Sequence, residues 1–182
     1  MTDQPRVAKV LAALLISMTL GAVALMALGN NPPSAGPFCL ARYYKLDPVE
    51  KALISRAPQS PDRWSSIEVY YSGTTAGNIE QLASLGGLRS GEDINCHFCL
   101  CNGLGGEDGQ IQSTERWQRQ WSITPGRTWY GSNQTIRICV IADGKQKRAT
   151  DSQLKRLESL LELLSRRFRI PADTVYYPGD WR

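Results

Sequence analysis

The stretch IRICVIA at residues 136–142, followed by TDSQLKRLESLLELLSRRF at residues 150–168, decides the fold class. The first is a short apolar, β-branched run and reads as a buried strand, with Arg137 its one charged residue. The second carries Leu154, Leu157, Leu161, Leu164 and Phe168 at helical spacing, a stripe that belongs to a core. Thr150 is placed to cap this helix, Gln153 stands where a capping box wants it, and Pro171 ends it. Strand and helix together put the chain in the α/β class.

Working outward, Ser66-Ile67-Glu68-Val69-Tyr70-Tyr71 is a second β-rich run, closed by Ser72-Gly73-Thr74. Asn78 to Leu85 predicts a short helix with Ile79, Leu82 and Leu85 on one side. Cys96 to Asn102 is apolar and strand-like. The turn signal Glu107-Asp108-Gly109 then precedes Gln110-Ile111-Gln112, so the two pieces are expected to pair as a hairpin. Leu46 to Arg56 has helical spacing at Val49, Leu53 and Ile54, and the prolines within 57–63 interrupt it.

The N-terminal run VLAALLISMTLGAVALMAL, Val10 to Leu28, carries no charge and follows Arg6 and Lys9. At about 1.5 Å rise per residue a helix of this length spans close to the roughly 30 Å hydrocarbon core, with the basic flank cytoplasmic. The expectation is a single-pass membrane protein with an extracytoplasmic C-terminal domain. A cleaved signal peptide is the alternative, since Ala22-Val23-Ala24 offers a small-x-small site. Residues 1–28 thus form the anchor or signal. Residues 29–63 make a Pro- and Gly-rich tether with a short helical segment, and 64–182 are long enough for one compact domain. Beyond Arg6, Lys9 and Asp3, the 21 basic and 17 acidic residues leave a small, dispersed basic excess. This implies no nucleic-acid partner.

Five cysteines, Cys39, Cys96, Cys99, Cys101 and Cys139, in a domain expected to be exported make at least one disulfide plausible. The only histidine, His97, lies between Cys96 and Cys99. The cluster superficially suggests a metal site. Strand alternation places Cys99 and Cys101 on one face with His97, and Cys96 on the other. Cys139 from a neighbouring strand can join that face. Small core residues are the plainer account of isolated cysteines.

The ordered set from Val69-Tyr70-Tyr71-Ser72-Gly73-Thr74 through Cys96-His97-Phe98, Asp108-Gly109, Thr135 to Val140, Thr150-x-x-Gln153 and Phe168-Arg169-Ile170-Pro171 to Val175-Tyr176-Tyr177-Pro178-Gly179-Asp180 resembles one family. That family is the type 2 N-acetylmuramoyl-L-alanine amidases and peptidoglycan recognition proteins. The resemblance covers roughly Trp64 to Arg182 and implies a mixed central β-sheet flanked by helices, with a groove for the muramyl peptide.

In active members zinc, held by two histidines and a Cys or Asp, polarises the amide carbonyl and activates water. The resemblance puts Tyr70 at the first ligand position and Pro178 at the second. The third belongs to a segment downstream of Arg182. Cys96 replaces the family's assisting tyrosine, and His97 matches a histidine that is not a ligand. A phenol ionises near pH 10 and is a poor substitute for imidazole. The implied cofactor set is therefore none, and the expected activity is that of a pseudoenzyme binding peptidoglycan or muropeptides without hydrolysis. Candidate contacts are Tyr70, Tyr71, Arg127, Trp129 and Tyr130, through stacking and, for Arg127, a carboxylate pair. Tyr70 and Tyr71 as filler of a vacated metal site is the structural alternative. Two other functions stay open: hydrolysis through an atypical metal site, and a protein-docking scaffold using Trp117 and Trp121.

Overall fold

The computed structural model describes residues 8–12, 14–20, 46–124, 132–145 and 148–179. The chain divides into two compact units, Met1–Pro37 and Phe38–Arg182. In the first, residues 8–12 and 14–20 are helical. The expected span Val10–Leu28 runs on into residues outside the described set. Among the described residues no helix is long and apolar enough to cross a membrane, so the transmembrane helix stays an expectation from sequence.

The second unit is built on a five-stranded mixed sheet. Its elements are α1 (Val49–Ala52), β1 (Ser66–Tyr71), α2 (Ile79–Leu85), β2 (Phe98–Leu100), β3 (Ile111–Ser113), α3 (Glu115–Gln118), β4 (Thr135–Val140), α4 (Asp151–Phe168) and β5 (Val175–Tyr176). The strand order is β3-β2-β4-β1-β5. β4 lies at the centre, parallel to β1 and β2, and β5 is parallel to β1, while β3 returns antiparallel along β2. The mixed α/β architecture matches the expectation from sequence. All six residues of β4 are buried, as a strand covered on both faces requires.

One face of the sheet, formed by Ile67, Val69, Phe98, Leu100, Ile136, Ile138 and Val140, packs against α4. Leu157, Leu160, Leu161, Leu164 and Phe168 are the buried apolar side chains of that helix. Each contributes roughly 1.5–3 kcal/mol relative to exposure. The helix is turned slightly from the expected stripe: Leu154 is half-buried and Leu160 fully buried. The reason is Gln153, which is 1% exposed. Its Nε2 donates to the carbonyls of Leu100 and Ile141 at 2.9 and 3.2 Å, while its Oε1 accepts from the Thr150 amide. The capping box is complete, because Thr150 Oγ1 accepts from Gln153 N. Thr150 Oγ1 also donates to Asp108 in the β2–β3 turn, at 2.6 Å.

Val49 and Leu53, from the segment expected to precede the domain, lie in this same core. Trp117 joins them, fully buried, with Nε1 donating to Leu53 O. The pair offered as docking anchors therefore separates, since Trp121 is 50% exposed and Trp117 is core. Burial of an indole with its N–H satisfied is the favourable outcome for so large an apolar group.

Candidate functional site

The opposite face of the sheet is chemically different. Alternation along β1 sends Glu68 and Tyr70 to it, and alternation along β4 sends Arg137 and Cys139. The register pairs Glu68 with Arg137 and Tyr70 with Cys139, and, across β4, Cys99 with Cys139. Arg137 Nε donates to Glu68 Oε2 at 2.9 Å, and the guanidinium carbon stands 3.9 Å from the Tyr70 ring centroid. Below this polar end lie Cys96, Cys99 and Cys139, each fully buried, covered by Ala76, Ala83, Ile94 and Ile141.

The sulfurs form a chain of contacts with Cys99 in the middle. Cys96 Sγ and Cys99 Sγ are 3.3 Å apart, and the Cys99 thiol is hydrogen-bonded to Cys139. Tyr70, in register with Cys139, brings its hydroxyl to bear on that thiol as well. Burial, reinforced by the thiols of Cys96, Cys139 and Cys99, holds the Tyr70 phenol well above its ordinary 10. The Cys99 thiol is pushed up, first by its hydrogen bond to Cys139. Cys139 is drawn down, first by the Cys99 bond, with Tyr70 and the Arg137 charge assisting. Burial pushes Cys101 up to about 12.

The expected face assignment around His97 needs correction. Regular strand begins only at Phe98, so the two-residue alternation does not extend back through Cys96-His97. Cys96 turns in beside Cys99, and the imidazole instead meets the rings of Trp64 at 4.7 Å and Trp117 at 6.2 Å. Its Nδ1 accepts from the Arg137 amide at 2.9 Å, and Nε2 lies 2.9 Å from Trp121 O. A backbone N–H can only donate, so Nδ1 is bare and Nε2 carries the proton to that carbonyl. Both nitrogens are spent, and burial lowers the His97 pKa from 6.5 to about 3. The one histidine is a neutral structural brace between β4 and the Trp121 backbone.

Tyr70 and Tyr71, expected to line one groove together, occupy opposite faces: Tyr70 packs with the thiols and Tyr71 against the helix-side core. The alternation of β1 dictates this. Arg127, Trp129 and Tyr130 lie outside the described residues. The ends of their loop are tied, with Asn95 bonding both N and O of Thr124, and Ser122 Oγ donating to Asn133 O. A groove of about 520 Å³ runs along the β3 edge, lined among others by Asp47, Glu80, Glu92, Gln112 and Glu115, and neither tyrosine reaches it.

Zinc is the metal the resemblance implies, and the residues at its positions do not fit. The Tyr70 phenol is protonated and engaged with Cys139, while Pro178 offers no side-chain donor. Among the described residues no three His, Cys, Asp or Glu side chains are grouped to hold a metal ion. The Glu68–Arg137–Tyr70–Cys139 array, half-buried at its polar end, escaped the sequence reading. Its signal was the shared parity of EVY and RIC once the two strands are laid side by side.

No family model matches the sequence, and no curated protein matches it. Among solved structures the chain is similar to N-acetylmuramoyl-L-alanine amidase LysC from Clostridium intestinale URNW. The TM-score is 0.44 at 18% identity, covering 71% of this chain and 80% of that one. It is similar also to the endolysine N-acetylmuramoyl-L-alanine amidase LysCS from the same organism, with TM-score 0.44, 18% identity and coverage of 71% and 78%.

Proposed function

We propose that the unit Phe38–Arg182 is an amidase-like domain that binds peptidoglycan or muropeptides without cleaving them, held at a membrane outside the cytoplasm by the N-terminal segment. The observation that carries this reading is Tyr70. It stands where the resembling family keeps its first zinc ligand, and it packs against the thiols of Cys96, Cys99 and Cys139 with its phenol held well above the ordinary value by burial. A protonated phenol so engaged neither holds a metal nor activates water.

The polar end of this face, Glu68 with Arg137 over the Tyr70 ring, remains partly open, with side-chain exposures of 23% and 11% for the ion pair. An amide- and carboxylate-bearing stem peptide suits such a surface, with Arg127, Trp129 and Tyr130 as further contacts. The test is cosedimentation of residues 38–182 with intact sacculi. Saturable binding is expected, weakened about tenfold or more when Arg127→Ala and Trp129→Ala are combined, since charged and aromatic anchors dominate such contacts. Absence of saturable binding overturns the reading.

Stoichiometric zinc in the purified domain together with release of stem peptide favours the active-amidase alternative. The docking-scaffold alternative rests now on Trp121, exposed beneath the Arg119 guanidinium at 4.6 Å. Under it, Trp121→Ala loses a protein partner while sacculus binding is unchanged.

A further inference from the structure

The non-catalytic reading leaves the buried sulfur chain without a role. We propose that Cys96 and Cys99 are a disulfide-forming pair, a modification site that takes a small-molecule or protein disulfide as its oxidant. Two observations converge on it. The sulfurs stand 3.3 Å apart. Disulfide formation asks for a further approach to about 2.05 Å, within reach of side-chain rotation when the sulfurs already touch. The two cysteines are separated by two residues, the Cys-x-x-Cys spacing that closes the smallest common redox loop. The backbone ahead of β2 is fixed on both sides, with His97 N donating to Arg137 O and Thr114 N donating to His97 O, so the remaining approach falls to the two side chains.

The neighbours decide which pair is joined. Cys99 has two sulfur neighbours, Cys96 and Cys139. Cys139 is set within β4, in register with Tyr70 on one side and Cys99 on the other, and the ladders on both sides fix its backbone. Cys96 lies ahead of β2 with its Sγ already against Cys99 Sγ, so rotation of its side chain covers the last distance. In the reaction, Cys96 and Cys99 give up two protons and two electrons and one Sγ–Sγ bond forms. The S–S bond of the donor is cleaved to two thiols, which take up both. All three sulfurs are fully buried, so exchange takes place on the folding or locally opened chain, and the finished bond is shielded from reductant in the native state.

The test uses the full chain, purified in detergent, folded in oxidised glutathione or in excess dithiothreitol, then denatured and alkylated. Expected is a loss of two alkylatable thiols out of five in the oxidised sample, located to Cys96 and Cys99 by fragmenting the peptide that spans them. Cys139→Ala should leave that two-thiol loss unchanged. The proposal is overturned if all thiols stay alkylatable after oxidation, if the bond joins any other pair, or if Cys139→Ala abolishes it. None of these outcomes depends on peptidoglycan binding.

Discussion

The two faces of the sheet are made from alternate residues of the same strands and behave as different materials. Toward α4 lie Ile67, Val69, Phe98, Leu100, Ile136, Ile138 and Val140, joined by shape and volume alone. On the far side lie Glu68, Tyr70, Cys96, Cys99, Arg137 and Cys139, joined by an ion pair, a stacked guanidinium and a chain of sulfur contacts. Stability resides mainly on the first face, because its interactions scale with the area removed from water. The second is specified atom by atom, since a buried donor or acceptor without its partner costs more than the bond returns.

The contrast is most easily broken by a volume loss on the helix side. Leu160→Ala removes a fully buried side chain and should lower unfolding stability by about 2–5 kcal/mol, read from the urea midpoint. A loss below 1 kcal/mol means α4 repacks freely and the face is not the main source of stability.

Next in size is the response to acid. The folded pKa of His97, about 3, lies below the unfolded value of 6.5, so the unfolded chain takes up a proton that the folded one refuses. Its contribution is full above pH 6.5 and is lost as pH falls toward 3, at up to about 1.4 kcal/mol per unit. Urea titrations between pH 6.5 and 5 should show that slope, and His97→Gln should flatten it. An unchanged slope in the variant removes His97 from the buried framework.

The smallest effect is expected on the thiol side. Tyr70→Phe removes the hydroxyl that bears on the Cys139 thiol and keeps the ring under Arg137, for a loss of about 1 kcal/mol by the same urea assay. A loss equal to that of Leu160→Ala erases the distinction between the faces.

The fold was legible where periodicity is long or punctuated. Strands β1 and β4, the capped helix α4 and the hairpin around Gly109, whose φ of +81° suits its glycine, were all readable in advance. The site was readable only in part. That Tyr70 and Tyr71 part company follows from alternation alone. That His97 leaves the face of Cys99 follows from where β2 begins, which an apolar run of uniform character does not mark. Trp117 looked like a surface anchor because its neighbours in sequence are polar. Its burial depends on Leu53 and Phe168 arriving from distant parts of the chain.

Gln153 sets a limit on how this chain can vary. A capping box ordinarily admits Glu or Gln at its third helical position, because either side chain can accept from the capping residue's amide. Here the same side chain also donates to two strand carbonyls, Leu100 O and Ile141 O. A carboxylate would turn oxygen toward oxygen at both and lie uncompensated in the interior. The commonest conservative exchange at a helix start is thus closed to this position, and an assignment of relatives that treats Glu and Gln as equivalent there would admit chains in which this helix is not fastened to its sheet.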